Sequence, residues 1–298
     1  MADGDATPAV WLGNRRVDCR RHPRPQDVRP IRVCADAFAI GQPFRDLWLS
    51  PDHAVFINGV LIPIRYLLNG KTIVQERAES VVYWHVELRK HGVLLADGLP
   101  CESYLNTGNR GSFANGGGTV QMHPDFALRV WEAQACADLV RDGAQLAAVR
   151  RALLRRAESL GHVLTDEHGL RVVVNDRELA GTVVGRLWCV RLAEATSSVR
   201  LVSRRWTPAH VRPDEDDARA LGIAVSRLWL DRREVSLDSP GLSSGWHAAE
   251  RAWRWTDGDA VLAVAGAREL IVEVAMAGTY WRDDVRGDVC AACSSVSR

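Results

Sequence analysis

At 298 residues the chain is longer than one compact core usually organises, which predicts two domains. With 47% hydrophobic and 25% charged residues it reads as globular, and no stretch approaches the ~20 apolar residues of a membrane-spanning helix. Lys plus Arg number 38 against 37 for Asp plus Glu, so there is no basic footprint for phosphates and no nucleic-acid partner is expected. Lys71 and Lys90 are the lysines in an otherwise arginine-based positive set, a bias of GC-rich bacterial genomes.

The opening MADGDATPAV lacks the basic segment and apolar core of a secretory signal, so the visible chain gives no address and the compartment stays open. Residues 1–30 hold Arg, Asp and Pro around one apolar tract, VWLG, and are expected to be an exposed approach to the first strand. From Ile31 the runs are short and β-like: IRVCADAF, LWLS, AVFI, VLIPIRYL, KTIVQ and VVYWHVEL. Asn-Gly accommodates positive φ cheaply, so AVFI-NG-VLIPI predicts a hairpin at Asn58-Gly59, and YLL-NG-KTIV a second reversal at Asn69-Gly70. A glycine-rich stretch at 114–121 closes this all-β module as a linker.

The composition then shifts. DFALRVWEAQACADLVRDGAQLAAVRRALLRRAESLGH carries apolar residues at three- and four-residue spacing, with Asp125 as cap, a break at Gly143 and a stop at Gly161. One interrupted helix or two is expected, the second with a narrow stripe of Leu146, Val149, Leu153 and Leu160 beside solvated arginines. Short runs return from 169, including TVVGRLWCVRL, AVSRLWL and LIVEVAMAG, and predict a second β domain built as a sandwich. Seven scattered cysteines do not form a disulfide framework. The lone CxxC of Cys290 and Cys293 would need two further ligands to hold zinc, so no metal or other cofactor is expected.

The chemistry gathers at WLSPDHAVF, where the Ser50 hydroxyl and the His53 imidazole are presented between two apolar runs. Such a pair at a strand end can polarise an amide and protonate its departing nitrogen, two tasks of an N-to-S or N-to-O acyl shift. Alone, the tetrapeptide is read more simply as a turn capped by Ser50 with Pro51 at its first position. Together with the downstream YWHVELRKHGVLLADGLPCESYL, it resembles the Hint fold shared by hedgehog autoprocessing domains and inteins.

That resemblance, over residues 10–115, carries its own expectations. Ser50-Pro51-Asp52-His53 stands where the family has Thr-x-x-His, and His91 stands at the closing segment's histidine, so Ser50, His53 and His91 are the candidate catalytic residues. Inteins finish with a His-Asn pair whose Asn cyclises; the matching place here is Cys101-Glu102, and Glu lacks the side-chain amide, so splicing is not expected. A hedgehog-like opening of the acyl intermediate by water or an added nucleophile is what remains. The family's nucleophile is a Cys or Ser opening the domain several tens of residues before the tract that here begins at Val10, so the module is expected to be incomplete and inactive as given. Cys19 and Cys34 do not open it and read as structural. The implied activity is self-cleavage without turnover of an external substrate, and the implied partner is an upstream segment of the same polypeptide.

A second constellation lies in GLSSGWHAAERAWRWTDGDAVL, with Gly245, Trp246, His247, Glu250, Trp255, Asp257 and Asp259 close together. Aromatic and acidic groups side by side can bind sugars or calcium; the simpler reading is a half-buried strand with a turn at Asp257-Gly258. The block also resembles a terminal β domain of bacterial Hint proteins and some glycan-related proteins, which implies no activity. A non-catalytic chain that binds a glycan or a protein through this domain is therefore the alternative function. The expected fold is mainly β: an incomplete Hint-type module over 1–120, a helical connector over 121–165, a β-sandwich-like domain over 166–284 and a disordered tail over 285–298.

Overall fold

The structure, a computed structural model, describes residues 6–117 and 124–282; the Cys290–Cys293 pair and the expected tail lie outside the described residues. The chain forms two compact units, Met1–Leu160 and Gly161–Arg298. The first runs through β1 (Ala9–Asp18), β2 (Ile31–Val33), β3 (Leu47–Leu49), β4 (Ala54–Ile57), β5 (Val60–Pro63), β6 (Ile73–Gln75), β7 (Ser80–Leu88), β8 (Val93–Ala96) and β9 (Leu99–Glu102). The helices α1 (Pro124–Gln134) and α2 (Gly143–Ser159) follow. Three antiparallel sheets result, with orders β1-β7, β3-β2-β6 and β5-β4-β9-β8.

Local chemistry explains most of these choices. Asn58 and Gly59 take φ of 52° and 82°, the double positive turn that matches strand twist, and close the β4-β5 hairpin. At Asn69 the reversal is built differently: its Oδ1 accepts the backbone N–H groups of Lys71, Thr72 and Ile73. The preceding residues Ile64–Leu67 form a 3-10 turn, not a strand, and bury Ile64 and Leu67. The expected exposed approach is corrected as well. Residues 9–18 are a ten-residue strand paired along its length with β7, because Trp11, Gly13 and Val17 alternate inward against Val10 and Leu12 outward.

The core of this unit joins Ile31, Val33, Val55, Ile62, Ile64, Ile73 and Leu99 to Leu146, Val149 and Leu153 of α2. Each such side chain contributes about 1.5–3 kcal/mol on burial. The helical region is thus two helices, and α2 lies within the first unit. Gly143 opens α2 at φ 83° after Asp142, and Gly161 at φ 94° follows its end, where L-residues with a Cβ are disfavoured. Leu160, expected in the stripe, is exposed.

The second unit comprises β10 (Leu164–Thr165), β11 (Arg171–Val174), β12 (Arg177–Leu179), β13 (Gly181–Val184), β14 (Leu187–Arg191), β15 (Ser198–Val202), the short α3 (Pro208–Val211), β16 (Ala224–Leu230), β17 (Arg233–Val235), β18 (Trp246–Ala249), β19 (Arg254–Thr256), β20 (Asp259–Ala263), β21 (Glu269–Met276) and β22 (Tyr280–Trp281). One sheet has the order β12-β11-β15-β20 and the larger one β13-β14-β21-β16-β19-β18. Val172, Leu201 and Leu262 from the first meet Val190, Leu228 and Val272 from the second in one core, a mainly antiparallel sandwich. Among the described residues no helix is long and apolar enough to cross a membrane.

Candidate functional site

Alternation along β7 puts Tyr83, His85 and Glu87 on one face and Val82, Trp84 and Val86 on the other. His85 pairs across the ribbon with Gly13. A Cβ at Gly13 would occupy the space of the Trp11 indole, so the absence of a side chain there lets Trp11 fold over the strand. Trp11 then meets Tyr104 and Phe113 at centroid distances of 5.1 and 5.2 Å, and Phe113 meets His85 edge-on at 5.1 Å. This aromatic wall borders a cavity of about 630 Å³.

Ser50 and His53 line the same cavity from a turn in which the His53 N–H donates to the Ser50 carbonyl at 3.0 Å. The hairpin fixes that turn, since the Ile64 N–H donates to the His53 carbonyl at 2.9 Å. His53 and His85 are neighbours, with ring centroids 5.7 Å apart. The register Val55↔Cys101 sets Ala54 opposite Glu102, and the Ala54 N–H donates to Glu102 Oε1 at 2.7 Å. Glu102 therefore enters the cavity beside His53, with its side chain only 12% exposed.

Both imidazoles resist protonation. Burial is the main cause for His53, partly opposed by the charge of Glu102. His85 is pushed down to about 4 by burial and by His53, with Arg15 in the same direction and Glu102 against it. At neutral pH the cavity thus offers two uncharged rings, each able to accept a proton, next to a carboxylate that would stabilise the charged form.

His91 is elsewhere. Its side chain has no exposure, and its polar contact with the site is Glu102, with Nε2 3.6 Å from Oε2. The structure thus gathers Ser50 and His53 and adds His85 and Glu102, which sequence reasoning missed. The VVYWHVELRKH run holds two histidines, His85 and His91, and strand alternation opposite Gly13 is the signal that distinguishes them. No cysteine lines the cavity among the described residues. Cys101 is buried on β9 with its thiol pushed up to about 12 by burial, then by Glu102, and Cys19 is buried as well. No group of three or more His, Cys, Asp or Glu that could hold a metal occurs among the described residues.

The second constellation is tied up internally. Trp246 Nε1 donates to the Val261 carbonyl, His247 Nε2 lies 2.8 Å from the Ala220 carbonyl, and Glu250 accepts from Trp253 and Arg219. Asp259 takes a two-pronged bond from Arg200, and Asp257 accepts the Asp259 N–H. Trp255 is buried. These groups hold the sandwich together and point no free donor set at a ligand.

A small antiparallel β module thus collects a Ser-x-x-His turn, a second imidazole and a carboxylate in one cavity. Residues 1–108 match the family model of the Hint domain, and the first unit of this chain carries a Hint domain. Among curated proteins and among solved structures nothing matches the chain.

Proposed function

We propose that this chain is a Hint-type autoprocessing protein whose cavity receives a peptide link of its own polypeptide. A thiol or hydroxyl attacks the carbonyl of the peptide bond before it, forming a thioester or ester and releasing the amine. His53 takes the nucleophile's proton and passes it to the departing nitrogen, so the step balances without an outside proton. His85 donates the second hydrogen bond to the reacting amide, and Glu102 stabilises the transient imidazolium. Ser50 orients the amide from the turn. Water or an added nucleophile then opens the acyl intermediate, and the reaction is a single self-cleavage rather than turnover. The observation that carries this reading is the convergence of Ser50, His53, His85 and Glu102 on one cavity inside the segment that matches the Hint domain.

Intact mass and N-terminal sequencing of the protein recovered from its host test it. The wild type should carry an N-terminus created by cleavage, whereas His53→Ala and His85→Ala should accumulate precursor, since loss of a general acid–base group costs about 10²–10⁴ in rate. The same N-terminus in all three proteins, with masses that differ only by the substitutions, would overturn the proposal.

A further inference from the structure

His91 and the segment Trp131–Val140 stand outside the chemistry described so far. That segment lies beyond the residues matched by the family model, yet it is pinned to the first unit's core. Leu61 donates its N–H to the Asp138 carbonyl and accepts the Val140 N–H, both at 2.8 Å. Trp131 lines the catalytic cavity and packs edge-on against His91, with centroids 5.6 Å apart. Five residues on, the Cys136 N–H donates to His91 Nδ1 at 3.0 Å.

An amide N–H can bond only to the ring nitrogen that carries a lone pair, so in neutral His91 the proton is on Nε2. That atom is buried without a hydrogen-bond partner and faces Glu102 Oε2 at 3.6 Å, an electrostatic contact longer than a hydrogen bond. The other carboxylate oxygen is held by the Ala54 N–H. The groups that face this carboxylate are His91, His53, His85, Asp52 and the Cys101 and Cys136 thiols; Arg15 faces His85. His91 does not line the cavity, and it meets the lining at two groups, the Trp131 indole and Glu102, of which Glu102 is the polar one.

From this geometry we infer that His91 is a positioning residue: the Trp131–Val140 strap holds its Nε2–H toward Glu102, and thereby fixes the carboxylate beside His53 and His85. The role in catalysis rests on the autoprocessing reading; the positioning does not. A carboxylate this enclosed needs donors on both oxygens to keep one orientation. His91 is the group turned toward the second oxygen, and the strap that orients it lies outside the residues matched by the family model.

Histidine NMR on the full chain, with a pH titration of His53 and His85, tests this without any cleavage assay. In the wild type, ¹⁵N shifts should report His91 as the Nε2–H tautomer. Glu102→Gln should move both midpoints down, and His91→Phe should move both by about half a pH unit, a threefold change in proton affinity. His91→Gln, which keeps a donor at a similar reach, should restore them. A purely structural His91 would lower stability and leave the midpoints in place. An Nδ1–H tautomer, or midpoints unmoved in His91→Phe while Glu102→Gln shifts them, overturns the inference, and the tautomer is readable even if the variants do not fold. Shifted midpoints with no self-cleavage would instead sink the proposed function and leave the positioning intact.

Discussion

Replacing His85 by Gln isolates the energetic cost of keeping an imidazole neutral in the aromatic wall. The folded protein holds this ring down to about 4, while an unfolded chain protonates it at its ordinary value of 6.5. Because the folded value is depressed, the unfolded state binds the proton first, and stability falls as pH drops from 6.5 towards 4. The gap is about two and a half pH units at about 1.4 kcal/mol each, so the full loss is about 3.5 kcal/mol. It is nearly absent above pH 7, about 3 kcal/mol at pH 4 and complete about a unit below that. His85→Gln has no such group; it keeps the slope contributed by His53, whose shift comes from burial, partly opposed by Glu102. Urea unfolding at pH 7, 6, 5 and 4 measures the effect, followed by brief deuterium pulses and the masses of peptides from β4, β7 and β9. Those peptides report the first unit alone. The stability of wild type relative to the variant should fall by about 3 kcal/mol across the series, whatever constant offset the lost packing against Phe113 introduces. A difference that stays flat across the series, or one that rises on acidification, would refute the reasoning.

Two further outcomes follow from the geometry. Gly245 has φ 77° and a Cβ there would overlap the Asp259 carbonyl, so Gly245→Ala should destabilise the second unit by about 1–3 kcal/mol, read as a lower midpoint in thermal unfolding. Iodoacetamide at pH 8 should label exposed Cys136 at least ~10-fold faster than buried Cys19 and Cys101, because packing shields both and the Cys101 thiol, pushed up to about 12, has almost no thiolate; comparable rates would contradict the packing.

What could be read from the sequence was set by local rules. Asn58-Gly59 announces its hairpin because the required φ values are intrinsic to those residues, and Gly161 marks the end of α2 for the same reason. The Ser50-Pro51-Asp52-His53 turn was legible as a short motif. His85 and Glu102 were not, because their roles depend on register: Gly13 opposite His85, and Ala54 opposite Glu102, are pairings between strands distant in sequence. His91 attracted attention because it stands at the closing segment's histidine, yet only three-dimensional packing reveals that its ring is sealed from the cavity. The approach to the first strand was misread because Arg15 and Arg16 suggested solvent, whereas the pairing partner that makes this stretch a strand begins at Ser80.

The helix α2 has a practical consequence for anyone moving this module into another protein. Leu146, Val149 and Leu153 fill the same core as Ile31 and Ile62, so the portable piece ends at Leu160 and not where the family resemblance stops. A graft cut at residue 108 would open an apolar floor to water and forfeit three side chains worth about 1.5–3 kcal/mol apiece. Transplantation therefore has to carry the helices as cargo, because the strands alone are a lid without its box.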